Sequence, residues 1–438
     1  MRFNSLKAWL AWQETSHPRE IDLGLDRVRE VALRLDLLQP RARVITVAGT
    51  NGKGSCIATL QALLLAQGQT VGAYSSPHLL RYNERIRIGG ESVSDADLCN
   101  AFAAIDDARG DISLTYFEFG TLAAFWLFRR AGLDCWLLEV GLGGRLDATN
   151  LLDADIAIVT TIAIDHQQWL GSDRETIGRE KAGIFRTGRP VICADRQAPE
   201  SVLAHAAALQ CPVFLVGRDF DWRLPISDET WDLTLAGRDR RQVMHLPLPL
   251  PKLPLPSVAA ALQAMELIEC LPPTSVVANV LASLQLQGRF QQLTRGGKTV
   301  FLDVAHNPAA ADYLAQCLEE QGVQNLAVVV AMMADKDSEA CLRPLRPFVR
   351  HWWLAALPDV PRAAEPRVLQ EALKRLGVGE EQITLCPFVG ETVECLLADN
   401  SSAGHPHQHS RQYLHGCEAL LVTGSFYTVA AALQVCGE

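Results

Sequence analysis

The sequence predicts an α/β protein with two mostly parallel sheets, each covered by helices on both faces. Apolar, β-rich runs alternate with helical patterns along almost the whole chain. The strand runs are continuously apolar rather than alternating, as in sheets buried on both sides. One of the first runs ends in a glycine-rich turn that carries lysine and serine and opens a helix. A chain of 438 residues is long enough for about two or three domains with ample core.

In order, the apolar runs predict strands over 44–48, 70–75, 135–140, 155–162, 190–194 and 212–217, then 299–304, 326–332, 351–356, 383–386 and 419–423. Helical spacing predicts helices over 56–67, 95–108, 118–131, 174–185, 199–209, 257–271 and 274–285, then 308–321, 366–376, 391–398 and 426–435. Ser94 with Asp97 forms a capping-box pattern at the start of the second helix. The rhythm breaks over 220–246, which reads as short antiparallel strands, followed by a proline-rich run over 246–256. Residues 289–297 read as a hinge into a second strand–helix series, giving domains over 1–289 and 290–438. Residues 401–415 carry four histidines among Ser, Gly and Pro, a solvated insertion whose spacing converges no metal ligands.

The glycine-rich turn is Gly49-Thr50-Asn51-Gly52-Lys53-Gly54-Ser55. Its glycines let backbone N–H groups approach phosphate oxygens, the helix start adds partial positive charge and Lys53 adds a full one. Ser55 is placed to hold Mg²⁺. Gly54 separates Lys53 from Ser55, a departure from the usual spacing. The pattern predicts a nucleoside triphosphate site.

Glu139 ends an apolar strand just before Gly141-Leu142-Gly143-Gly144. A buried acid there is costly unless paired or metal-bound, so it is either a Mg²⁺ ligand or half of an ion pair. Asp165-His166 and Ser75-Ser76-Pro77-His78 also lie at strand ends; His166 is either a ligand or an ordinary satisfied polar residue. Lys181 reads simply as an exposed lysine on a helix. In the second half, Asp303 to Pro308 and Thr423-Gly424-Ser425 repeat the strand, polar turn and helix theme. Polar groups at carboxyl strand-ends of two α/β halves would face a shared cleft.

The net charge of −10 argues against a broad nucleic-acid surface. The 12 cysteines are scattered with no Cys-x-x-Cys pair, pointing to a reducing cytoplasm. No apolar run approaches the roughly 18 residues of a spanning helix, and the N-terminus lacks a signal core. The expectation is a cytoplasmic protein without nucleic-acid or membrane partners.

Gly49 to Ser55, Tyr74 to Leu79, Tyr82-Asn83-Glu84-Arg85, Leu138 to Asn150, Asp165-His166, Lys181 to Phe185, Gly288-Arg289-Phe290, Asp303 to Pro308 and Gly424-Ser425 occur in fixed order. In this the chain resembles the bifunctional dihydrofolate synthase/folylpolyglutamate synthase family of the Mur ligase superfamily, over about residues 21–429. The resemblance implies a P-loop-type N-terminal ATPase domain with a mostly parallel sheet and a smaller Rossmann-like C-terminal α/β domain, with the active site between them. It implies ATP on Thr50, Asn51, Gly52, Lys53, Gly54 and Ser55, with Ser257, Arg289 and Asp303 as further nucleotide contacts. Metal ligands would be Ser55, Ser76, Glu139 and His166, serving two Mg²⁺ sites, with Lys181 carbamylated near the second. Lys53, Glu139, His166 and Lys181 would be the catalytic set. The pterin site would use Ile21, Asp22, Leu23, Thr115, Tyr116, Phe117, Glu118, Leu146, Asp147 and Ala148, while His306 and Ser425 meet the incoming glutamate.

The implied reaction joins L-glutamate to dihydropteroate and to reduced folates, in a monomer. A carboxylate is a poor electrophile, so it first attacks the γ-phosphate of ATP to give an acyl phosphate, which the amine of glutamate then displaces. Closure of the C-terminal domain would keep water from that intermediate. Three positions depart from the family pattern. Ser257 stands for the usual asparagine, Gln167-Gln168 follow His166 where relatives often carry an acid, and the histidine-rich stretch 405–415 is an insertion. A cell-wall Mur-type ligase would share the phosphate loop but not the pterin segments. A regulatory nucleotide switch would need a guanine-reading motif, to which Asp335-Lys336-Asp337 is only a near miss.

Overall fold

The computed structural model describes residues 2–224, 230–240, 243–398 and 416–437. The histidine-rich stretch at 405–415 lies outside the described residues. The chain divides into two compact units, Met1–Leu284 and Gln285–Glu438. Among the described residues no helix is long and apolar enough to cross a membrane.

The first unit is built on an eight-stranded sheet in the order Glu91–Ser92, Ile86–Ile88, Val71–Tyr74, Cys135–Glu139, Arg43–Ala48, Ile156–Val159, Val191–Cys193, Val213–Leu215. Pairing is parallel from Val71–Tyr74 onward, and antiparallel only in the two short edge strands. Alternation along Cys135–Glu139 sorts its side chains between the faces. Trp136 and Leu138 join a large core with Trp9, Val28, Phe102, Phe119 and Phe125. Glu139 therefore faces the other way. Two helices absent from the sequence prediction, Leu6–Ser16 and Asp26–Arg34, close the first of these faces through Trp9, Val28 and Val31.

The irregular middle is a three-stranded antiparallel sheet of Asp221–Arg223, Thr230–Ala236 and Val243–Pro249. Pro247 and Pro249 lie on its outer strand, where a missing N–H breaks no interior ladder. Gln263, fully buried on helix Leu255–Leu267, clamps this sheet by bonding both the N–H and the carbonyl of Ala236, at 3.1 and 2.8 Å.

The second unit carries a six-stranded sheet in the order Gln291–Arg295, Lys298–Asp303, Ala419–Thr423, Leu326–Val330, Val349–Ala355, Ile383–Cys386. All pairs are parallel except the first. The stretch expected as a hinge is thus largely an edge strand. Gly296 and Gly297, with φ of 55° and 72°, form the two-residue turn that returns it onto Lys298–Asp303. Hinge and hairpin both need glycine, and the sequence alone did not separate them.

Candidate functional site

The glycine-rich turn leaves strand Arg43–Ala48 between its two parallel neighbours, where Val47 pairs with Glu139 and Ala48 with Val159. Two of its glycines are sterically required. A Cβ on Gly49 would strike Thr160 Oγ1, and one on Gly52, at φ 84°, would strike Ser257 Oγ. Threonines after strand Ile156–Val159 hold the turn. Thr50 N–H donates to Thr161 O at 2.6 Å, Asn51 N–H to Thr161 Oγ1 at 3.1 Å, and Thr160 Oγ1 to Asn51 O at 2.6 Å. Thr160 and Thr161 were missed, since nothing in their sequence marks them.

Helix Lys53–Ala66 starts at Gly52 with no side chain capping its first N–H groups, so an anion can take that place. Lys53 Nζ curls over the turn and donates to the carbonyls of Gly49 and Thr50 at 3.1 and 3.2 Å. Ser55 is 1% exposed, and its hydroxyl is buried without a hydrogen-bond partner. Such an orphan is expensive unless a ligand satisfies it. A divalent cation fits it.

Glu139 is buried at the end of its strand and accepts from Ser76 N–H at 3.4 Å. Its charge also reaches Cys56, whose thiol is pushed up first by burial and then by this carboxylate. His166 sits at φ 51° before the short helix Gln167–Leu170, with Nε2 4.0 Å from Asp165 Oδ2. Among the described residues no three His, Cys, Asp or Glu side chains gather into a ready-made cage. A site that draws on hydroxyls and leaves positions for water and phosphate is what Mg²⁺ takes in nucleotide enzymes.

Lys181 is not the exposed lysine its helix suggests; it is 3% exposed. Helix Arg174–Ala182 is overlaid by the loop after Glu139, where a Cβ on Gly144 would meet the carbonyls of Glu180 and Lys181 at 2.8 and 2.9 Å. Burial, then repulsion from Lys53, pulls the Lys181 ammonium down to about 7, against the attraction of Asp165. Lys53, Asp165 and Lys181 therefore share one electrostatic environment.

The three segments singled out for a pterin are linked to one another. Arg27 pairs with Asp22 at 2.5 Å and with Glu118 at 3.1 Å. Glu118 in turn accepts from Thr115 N–H at 2.7 Å in a capping box. The Phe117 ring lies where a Cβ on Gly141 would meet it at 2.5 Å. Gly141 N–H donates to Asp147 Oδ2 at 3.0 Å, and Leu142 N–H to the same oxygen at 2.9 Å. The other Asp147 oxygen takes Thr149 N–H and Oγ1 at 2.9 and 2.6 Å. Asp147 is thereby committed to shaping its loop. Arg27 keeps a buried, unpartnered Nε–H. It was missed because helix Asp26–Arg34 was missed. Arg85 lies over Tyr82 and Tyr116 at 5.2 and 5.3 Å and donates to His78 Nδ1 at 2.8 Å. Burial, then Arg85, pulls His78 down to about 4, so the ring is neutral.

In the second unit, Asp303 ends its strand and accepts from Phe290 N–H at 2.7 Å and Ala305 N–H at 2.8 Å. Burial raises its carboxyl, while Arg289 and these bonds oppose the rise. His306 Nδ1 lies 2.8 Å from Val304 O. A carbonyl only accepts, so Nδ1 carries the hydrogen of this bond. Ser425 caps helix Phe426–Cys436, accepting from Thr428 N–H at 3.1 Å.

The Mur ligase, glutamate ligase domain family matches residues 288–409. The dihydrofolate synthase/folylpolyglutamate synthase of Escherichia coli (strain K12) is 42% identical over 433 residues, covering 98% of this chain and 95% of that protein. The structure of E. coli FolC in complex with DHPP and ADP superposes with a TM-score of 0.86 at 40% identity, covering 99% of this chain and 98% of that one. The bifunctional folylpolyglutamate synthase/dihydrofolate synthase of Yersinia pestis, complexed with AMPPNP and a Mn ion, gives 0.85 at 40% identity, with 99% and 98% covered.

Proposed function

This chain belongs to the dihydrofolate synthase/folylpolyglutamate synthase family, ATP-dependent ligases that add glutamate to folates, and from that premise we propose how its residues divide the reaction. ATP is held by Thr50 to Ser55, with Ser257, Arg289 and Asp303 as further contacts. The pterin lies against Ile21 to Leu23, Thr115 to Glu118 and Leu146 to Ala148. His306 and Ser425 receive L-glutamate. The proposed division of labour assigns the nucleotide loop and pterin segments to residues 1–289 and glutamate recognition to 290–438. Both activities, on dihydropteroate and on reduced folates, are proposed for a cytoplasmic monomer.

The observation that carries this reading is the buried, unpartnered Ser55 hydroxyl on the first turn of the phosphate-loop helix, one strand from Glu139. Ser55, Ser76, Glu139 and His166 would hold Mg²⁺ at two sites, supplying Lewis-acid neutralisation of the transferring phosphoryl group. Lys53 adds positive charge at the same phosphates, and the helix N–H groups orient them. The substrate carboxylate attacks the γ-phosphorus, releasing ADP. The amine of glutamate then attacks the acyl carbon and phosphate leaves.

Lys181, drawn down to about 7, has about half of its amine unprotonated at neutral pH and so available for CO₂. The neutral Nζ attacks the CO₂ carbon and releases one proton, so a group that is a cation when protonated becomes a carbamate anion. That change of sign replaces repulsion from Lys53 with attraction.

Mass spectrometry of products from ATP, Mg²⁺, L-glutamate and either dihydropteroate or tetrahydrofolate tests the assignment. One added glutamyl unit on each substrate is expected, with ADP and phosphate released in step. Product from only one substrate would remove the second activity, and product from neither would overturn the reading.

A further inference from the structure

Two residues of the second unit, Arg289 and His306, share a neighbour to which no role has been given. The Arg289 guanidinium carbon lies 5.0 Å from the centre of the Phe426 ring. The His306 ring lies 6.1 Å from the same centre, tilted by 54°. Phe426 is only half-buried, so its ring is not simply core.

The ring is rigidly rooted. It opens helix Phe426–Cys436, whose first turn is fixed by the Ser425 cap. Thr428 Oγ1 then ties that turn to Ala331 O at 2.6 Å. Gly424, at φ 110°, brings the chain in so closely that a Cβ there would meet Ala331 O at 2.5 Å. An arginine, by contrast, is long and rotamer-rich, and gains order from a flat surface under its planar face. A guanidinium packed flat on a ring keeps its N–H donors at the edge, directed away from the ring.

We propose that Phe426 is a positioning residue for ligation, one aromatic platform that orients Arg289 for the nucleotide and His306 for the incoming amino acid. The proposal rests on the assignment of those two residues given above, and its test separates the two. Steady-state kinetics of the full chain with tetrahydrofolate would compare Phe426→Leu, Phe426→Tyr, Arg289→Met and His306→Asn. Phe426→Leu keeps apolar volume but removes the aromatic face. It should raise KM for ATP and for L-glutamate together, each by about threefold to tenfold, with kcat changed less. Phe426→Tyr should restore both. In an Arg289→Met background, adding Phe426→Leu should no longer change KM for ATP but should still raise KM for glutamate.

If Phe426 merely packs the helix start, Phe426→Leu will lower the melting temperature and leave both KM values alone, which overturns the proposal. Additive effects on KM for ATP in the double variant would overturn it as well. If Arg289→Met and His306→Asn leave KM for ATP and glutamate at wild-type values, it is the underlying assignment that falls.

Discussion

The first unit and the second are built on the same strand, polar turn and helix plan but differ in how the polar groups proposed for the site are satisfied. In the second unit the Thr423 hydroxyl at a strand end is buried without a partner, but the groups proposed to meet ligand are satisfied within the protein. Asp303 accepts two backbone N–H groups, His306 donates to the Val304 carbonyl and Ser425 caps a helix. In the first unit the Ser55 hydroxyl and the Arg27 Nε–H are buried without partners, and the Lys181 ammonium is buried against another cation. On the proposed assignment, the difference separates recognition from chemistry. A surface that only orients a ligand can be internally satisfied, whereas one that stabilises transferring charge must hold groups that await their partner.

The largest expected effect is on the charge of Glu139. Glu139→Gln keeps the shape and removes the charge, so turnover should fall by about 10²-fold or more, a loss of about 3 kcal/mol in transition-state stabilisation. Folding should change little, because neutralising a buried acid relieves its desolvation. Near-normal turnover at saturating Mg²⁺ would make Glu139 a structural residue and erase the contrast between the units.

Lys181 sharpens the contrast through stability. Its folded value of about 7 lies below the ordinary 10.5, so between those limits the unfolded chain binds more protons than the native one. Stability should therefore rise with pH across that window in CO₂-free buffer, and the full penalty is present below it. Lys181→Met should remove this slope and raise stability at pH 7 by about 1–3 kcal/mol, while activity is lost. Thermal melts from pH 6.5 to 10 would measure it, and a variant with an unchanged slope would show that Lys181 is not the titrating group. Lys181→Ala activity partly restored by acetate would support the carbamate.

These two residues also show what the sequence could and could not disclose. The strand ending in Glu139 is a continuous apolar run closed by an acid and glycines, so its position is written locally. The burial of Lys181 is not, because it depends on the Gly144 loop folding over a helix 30-odd residues later in the chain. Arg27 was hidden for a related reason: helix Asp26–Arg34 buries only Val28, Val31 and Ala32 among charged neighbours, too few for a strong period. The edge strand Gln291–Arg295, with its alternating exposure, carries no apolar run at all and passed as a hinge. Phe426 directly follows Gly424-Ser425, yet only the fold brings Arg289 and His306 to its ring.

Ser425 tests the satisfied side. Ser425→Ala removes a helix cap, so stability should drop by about 1 kcal/mol. If this hydroxyl serves mainly as that cap, KM for glutamate should rise only severalfold with kcat nearly kept. Denaturant melts and glutamate kinetics on the same samples would show it. A loss of turnover approaching that of Glu139→Gln, without loss of stability, would place Ser425 among the groups that act in the reaction and break the division between the units.

Ser257 should give the smallest effect, and it bears on how tightly the phosphate turn is packed. The family's asparagine offers an amide donor and acceptor, and restoring one neutral hydrogen bond to ATP would be worth about 0.5–1.5 kcal/mol. Here, however, Ser257 is 2% exposed and its hydroxyl occupies the space that a Cβ on Gly52 would enter. An asparagine in the same rotamer would drive its amide into the turn that must receive the phosphates, and overpacking of such a site typically costs about 1–3 kcal/mol. The steric term exceeds the hydrogen-bond term. Ser257→Asn should therefore weaken ATP binding severalfold and lower stability slightly, leaving kcat nearly unchanged, as for a loss felt equally in ground and transition states. Calorimetric titration with a non-hydrolysable ATP analogue would read the affinity directly. Tighter binding in the asparagine variant would mean that the side chain turns away from Gly52 and that the pocket still has room for the family's amide.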